Sequence, residues 1–250
     1  YEMQRSLVGS EMCIRDRRVR GMFTFVIWDK NKQELFGARD HFGIKPFYYA
    51  KMNGTFMYAS EIKSLLRHPD FVKELNAEAL KPYMTFQYPA IGETFFKGVY
   101  KLPEGHYFTY RDGKMDIHRY YDEDFREGKQ KLGELVNSID QTVCDSVKAH
   151  QIADVEVGSF LSSGVDSSYV AAVARPQHTY SIGFGKGTYN ESQQAGELAE
   201  LLKLNNTAES LTDEEAFAAF PRIQWHLDEP DSNPSLSLIH IWTLPTIRLV

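Results

Sequence analysis

Residues 155–174 read VEVGSFLSSGVDSSYVAAVA, and the fold turns on them. The apolar run VEVGSFL has the length and β-branched content of a buried strand. A hydroxyl-rich loop follows, Ser162, Ser163, Gly164, Val165, Asp166, Ser167 and Ser168, and YVAAVA from Tyr169 resumes as a helix. Downstream, HTYSIGF (178–184) reads as a second strand. Residues 191–204 read as a helix edged by Leu198, Leu201 and Leu202, and residues 207–211 as a third strand. Thr212 and Glu215 fit a capping box opening another helix. Upstream, Leu132, Leu135, Val136, Ile139, Val143 and Val147 share one face of a helix about five turns long. Cys144 beside that stripe reads as a small core residue. Alternating strands and helices argue for a parallel sheet.

The loop can be read in two ways. Small residues let a phosphate approach the backbone, and a helix start offers unpaired N–H groups and partial positive charge. The place is also where open α/β sheets bind ligands, beyond the carboxyl ends of the strands. One helix terminus contributes about 0.3–2 kcal/mol per anion, so several donors must act together, and Ser162, Ser163, Ser167 and Ser168 supply four hydroxyls. A bare Asp166 carboxylate would repel phosphate, a conflict that Mg²⁺ held by Asp166 removes. The other reading is an ordinary turn with Asp166 capping the helix. The Gly-Lys-Ser/Thr triplet of a Walker loop is missing.

The upstream half has a different rhythm. GMFTFVIW (21–28) and residues 35–39 flank a polar turn, and Asn53-Gly54 joins residues 47–50 to 55–59 with a strong hairpin signal. Arg111-Asp112-Gly113 closes a third hairpin between residues 105–110 and 115–121. Ser60 is expected to cap a helix from Glu61 and Asn76 a second one, although Pro82 limits its length. Within ARDHFGIKP (38–46), Arg39 and Asp40 read as a structural ion pair. His41, His68, His106 and His118 lack metal-site spacing. The polar stretch 122–131 reads as a linker.

The 250 residues carry 28 Lys+Arg against 34 Asp+Glu, net −6. That balance argues against nucleic-acid binding, which needs cations to neutralise phosphates. No run of about 18 apolar residues points to a membrane span. Two cysteines, Cys13 and Cys144, exclude a disulfide framework, and a reducing cytoplasm is the expected compartment. Residues 1–17 and 236–250 resemble translated sequencing-adapter read-through and are expected to be non-native. Cys13 is therefore not read as a nucleophile.

SSGVDSS resembles the pyrophosphate loop of N-type ATP pyrophosphatases, usually SGGxDS, with Ser163 where the first Gly stands. FLSSGVDSSYVAAVA, TYSIGF, YNE (189–191) and LDEP (227–230), with RGMFTFVIWD, ARDHFGIKPFYY, ASEIKSLL and KLPEGHYFTY upstream, resemble glutamine-hydrolysing asparagine synthetase across residues 18–235. The resemblance implies an α+β half followed by an α/β half. Residues 18–125 would be the C-terminal part of an Ntn-type, class II glutaminase. Residues 126–235 would be the first βα units of a Rossmann-like ATP-pyrophosphatase domain. It implies glutamine, aspartate and ATP as substrates, with Mg²⁺. The aspartate β-carboxylate is adenylated, and glutamine-derived ammonia then gives asparagine, AMP and pyrophosphate. Leu161 and Ile182 would contact the nucleoside, and Ser162, Ser163, Gly164, Asp166, Ser167 and Ser168 would cradle pyrophosphate, with Asp166 also the metal partner. LDEP would lie near the aspartate or nucleotide site, with no role assigned to Asp228 or Glu229.

The family's N-terminal cysteine nucleophile, whose α-amine serves as base, and its second Gly-rich SGEGxDE-type motif have no counterpart here. The chain is therefore expected to be an internal fragment of a longer parent enzyme, with no glutaminase activity and little or no synthetase activity of its own. The parent could be a homodimer. The alternatives are another ATP-pyrophosphatase amidotransferase, a β-lactam synthetase, or a non-catalytic nucleotide-binding fragment.

Overall fold

Tight turns with left-handed residues set the first part of the fold. In this computed structural model, which describes residues 19–184 and 191–230, β1 (Thr24–Asp29) pairs antiparallel with β2 (Glu34–Arg39). β3 (Tyr48–Met52) and β4 (Thr55–Ala59) are joined at Asn53 (φ 50°) and Gly54 (φ 85°). Both central residues of that turn have positive φ, as a type I′ hairpin requires. Asp112 (φ 51°) and Gly113 (φ 78°) do the same between β6 (His106–Arg111) and β7 (Lys114–Arg119). α1 (Ile62–Leu65) is a single turn. Asn76 accepts from the Glu78 N–H at the head of a 3₁₀ turn. That turn runs into α2 (Leu80–Phe86), where Pro82 is tolerated because it sits in the first turn. β5 is Val99–Lys101.

These strands form two antiparallel sheets, β1-β2-β6-β7 and β4-β3-β5. Phe47, Leu102 and Phe108 are fully or almost fully buried between them, against Val26 and Leu35 of one sheet and Tyr49 and Phe56 of the other. A second cluster, Ala50, Met57, Ile62, Leu65 and Val99, seats α1 on the smaller sheet.

The second part alternates. α3 (Leu132–His150) precedes β8 (Ser159–Phe160), α4 (Val165–Ala174), β9 (His178–Phe184), α5 (Glu191–Leu202), β10 (Asn205–Leu211) and α6 (Asp213–Leu227). The three strands form a parallel sheet in the order β10-β9-β8. Leu161, Ala171, Ala195 and Ala199 bury α4 and α5 on it. Thr212 and Glu215 bond reciprocally at the head of α6. Backbone and hydroxyl donors from Thr212 lower the Glu215 pKa. Among the described residues no helix is long and apolar enough to cross a membrane.

The chain divides into two compact units. Within the described residues the first comprises 19–125 and 227–230, and the second 126–184 and 191–226. Three local expectations change. The Ser60 cap is absent, because Glu61 occupies the N-cap of α1 without a side-chain bond. The strand expected over 155–161 shrinks to two paired residues, since only Ser159 and Phe160 find partners on β9. The apolar stripe of α3 is not a buried face. Leu132, Leu135, Val136 and Ile139 are exposed, because α4 packs only against the end carrying Val143 and Val147. The expected non-native ends, Cys13 and the Tyr189-Asn190 part of YNE lie outside the described residues.

Candidate functional site: the loop between β8 and α4

Leu161 ends β8 by donating its N–H to the Tyr180 carbonyl (2.8 Å), and its side chain is buried against α4 and α5. The chain then turns sharply. Gly164, in extended conformation (φ −69°, ψ 149°), is the N-cap of α4. The helix therefore starts at Val165, four residues before Tyr169, and residues 165–168 form its first turn instead of a free loop. Asp166 sits exposed in that turn and does not cap it. The capping reading of Asp166 is thus corrected: Gly164 holds that position, and an added Cβ there would stand 3.2 Å from Ser162 Oγ.

The hydroxyls do not point uniformly outward. Ser167 Oγ is a hub, 2.8 Å from Ser162 Oγ, accepting from the Ser162 N–H and within 3.2 Å of the Ser162 and Gly164 carbonyls. Ser162 Oγ accepts from the Gly164 N–H, and Ser168 Oγ donates to the Gly164 carbonyl at 2.7 Å. These three serines tie the turn to itself. The backbone N–H groups of Ser163, Val165 and Asp166 and the Ser163 hydroxyl face no protein partner among the described residues. They are the donors a helix start leaves open, and an anion here would meet them first. Ile182, half-buried in β9 and opposite Glu209 of β10, lies two residues beyond Tyr180.

Sequence reading missed how α4 is steadied. The Tyr169 hydroxyl donates to Asp140 of α3, which lifts the phenol to about pKa 12. Gln151 also donates to the Ala174 carbonyl at 2.6 Å. Residues 29 apart carry no local spacing signal. Asp166 is the carboxylate within the loop itself, and no cluster of three or more acidic, His or Cys side chains suited to a metal occurs among the described residues. One exposed carboxylate forms no metal cage by itself; Mg²⁺ held by a single carboxylate takes its further oxygens from water or from phosphates.

In the first unit, Arg39 and Asp40 are buried and wired to the backbone. Arg39 donates to the carbonyls of Gly43, Lys45 and Leu102. Burial pulls its pKa down, with neighbouring Asp40 opposing. Asp40 accepts from the N–H groups of Phe42, Ile44 and Lys45. Burial would raise its carboxyl, yet these donors hold it below the ordinary aspartate value. Gly43 (φ 65°) lies so close that an added Cβ would stand 2.9 Å from the Arg39 guanidinium. The expected Arg39–Asp40 ion pair is therefore corrected: the hydrogen bonds of both side chains go to backbone groups, and they organise residues 40–46 that way.

The LDEP carboxylates belong to the first unit. Asp228 accepts from the Ile62 N–H (2.7 Å) and Lys63 Nζ (3.1 Å). Glu229 Oε2 accepts from Lys101 Nζ (2.5 Å) and the Tyr48 hydroxyl (3.1 Å). Burial first, and Glu229 second, push the Tyr48 phenol well up.

Two families match the chain in order. A glutamine amidotransferase domain matches residues 7–121, and asparagine synthase matches residues 138–242. Glutamine-hydrolysing asparagine synthetase 1 of Bacillus subtilis is 39% identical over 223 residues, covering 87% of this chain and 35% of that protein. Asparagine synthetase 2 of the same organism is 35% identical over 204 residues, covering 74% and 27%. Amidase chry2 of Gibberella zeae is 29% identical over 240 residues, covering 85% and 35%. The chain thus spans about a third of the length of these relatives. By this ordered pair of matches and these identities, the chain belongs to the glutamine-hydrolysing asparagine synthetase family.

Proposed function

We propose that the second unit holds the diphosphate of ATP on the turn between β8 and α4. The complete protein would then use ATP to adenylate the β-carboxylate of aspartate and amidate it with glutamine-derived ammonia, giving asparagine, AMP and pyrophosphate. The observation that carries this reading is the set of open donors at Ser163, Val165 and Asp166, within the segment matched by asparagine synthase. Ser162, Ser167 and Ser168 act one step back, fixing the turn so that these N–H groups converge without reorganisation as charge grows on the leaving pyrophosphate. Asp166 would hold Mg²⁺, which when bound neutralises phosphate charge. The Leu161 side chain is buried, and its N–H and carbonyl are taken by Tyr180 and Ser181, so Leu161 would act by fixing the strand end, and direct contact with the nucleoside would fall to Ile182 on the neighbouring strand.

On this reading residues 126–235 are the opening βα units of a Rossmann-like ATP-pyrophosphatase domain, supported by the parallel order β10-β9-β8. Residues 18–125 are the later part of an Ntn-type glutaminase, supported by the paired antiparallel sheets and the amidotransferase match. A second reading keeps the loop and changes the acceptor carboxylate, because one relative matched over 85% of this chain is named an amidase and not an asparagine synthetase. Aspartate-dependent ATP–pyrophosphate exchange in the complete protein tests the first reading. Exchange driven by a different carboxylic acid and not by aspartate selects the second, and exchange with no carboxylic acid overturns both.

A further inference from the structure

The carboxylates of LDEP invite assignment to metal or nucleotide, and the contacts they make point elsewhere. Asp228 ends α6 in the left-handed region (φ 62°), a conformation Asp tolerates better than most residues. That bend delivers its carboxylate to the start of α1, where Ile62 N–H donates at 2.7 Å, Lys63 N–H at 3.4 Å and Lys63 Nζ at 3.1 Å. Its side chain is only 7% exposed. Glu229 reaches a second place on the same unit. One oxygen takes both Lys101 of β5 and Tyr48 of β3, and the Lys101 ammonium also lies 5.5 Å from the centre of the Tyr48 ring. The other oxygen is buried with no hydrogen-bond partner among the described residues.

We propose that residues 227–230 are a latch of the first unit, with Asp228 and Glu229 as its two prongs and not as ligands of nucleotide or metal. Two adjacent carboxylates make five hydrogen bonds to residues 128 to 181 positions earlier in the chain. An ionised carboxylate taken out of water is tolerated when donors replace the lost hydration. Asp228 meets that condition fully and Glu229 through one oxygen. The latch therefore fixes the start of α1 and the β3–β5 edge, whether or not the second unit binds nucleotide.

Amide exchange read by NMR on the whole chain tests this. Asp228→Gly removes the carboxylate while keeping the left-handed backbone free of strain. Exchange at the Ile62 and Lys63 amides should accelerate at least tenfold, while amides of the β9–β10 ladder keep their rates. Should that variant fail to fold, Lys63→Met reads the same prong and should speed exchange at Ile62 severalfold. Rates at Ile62 within twofold of the parent in the folded variant would overturn the latch.

Discussion

Gly37→Ala is the sharpest test of how the first unit is packed. Gly37 lies in the middle strand between Val26 of β1 and Phe108 of β6, and the Phe108 ring rests directly over it. A Cβ at Gly37 would stand 2.3 Å from Cε1 and 2.6 Å from Cζ of that ring, well inside van der Waals contact. The ring has nowhere to retreat, since Phe108 is fully buried and Phe47 lies at 5.4 Å between ring centres. Overpacking by a methyl group costs about 1–3 kcal/mol, and a clash this deep against a ring without free space belongs near 3 kcal/mol. For a unit of this size that lowers the melting temperature by roughly 12 °C, at about 4 °C per kcal/mol. Urea unfolding followed by Trp28 fluorescence, with Trp225 and Trp242 changed to Phe, reads this unit. Shortening the ring in the same protein by Phe108→Leu should recover part of the loss. A Gly37→Ala midpoint indistinguishable from the parent would refute the packing argument.

Three further outcomes are expected. Ser167→Ala removes the hub of the turn and should weaken ATP binding about tenfold by calorimetry, equivalent to about 1.4 kcal/mol, whereas Ser163→Gly should change it far less if backbone N–H groups dominate. Asp166→Asn should weaken ATP binding when Mg²⁺ is present and strengthen it when Mg²⁺ is chelated, because the same carboxylate attracts the metal and repels bare phosphate. Asp40 has a folded pKa below its unfolded one, so its contribution to stability is complete above the ordinary aspartate range and lost as pH falls through the folded value. Asp40→Asn should lower stability at neutral pH and flatten this acid-range slope in unfolding measurements.

What the sequence discloses and hides follows the range of the physics. Asn53-Gly54, Asp112-Gly113 and the Thr212–Glu215 box are local, and the structure has turns and a cap at those places. The β8-loop-α4 order is also local, although the helix begins earlier, at Val165, with Gly164 as its N-cap. Periodicity identifies α3 as a helix but cannot say what covers its stripe, and Leu132 to Ile139 stand exposed. The hydroxyls of the loop were visible as letters. That three of them bond to the turn itself, leaving backbone N–H groups as open donors, depends on torsions no spacing encodes. Tyr48, Lys63 and Lys101 give no sign in sequence that Asp228 and Glu229 meet them.

The central claim is that the turn at residues 162–168 grips the diphosphate. Adding inorganic pyrophosphate with Mg²⁺ to the ¹⁵N-labelled chain, and ATP in a parallel titration, tests it most directly. The account predicts that the amide signals of Ser163, Val165 and Asp166 move first and furthest with both ligands. Saturable shifts confined to other residues, with these three signals unmoved, would contradict it.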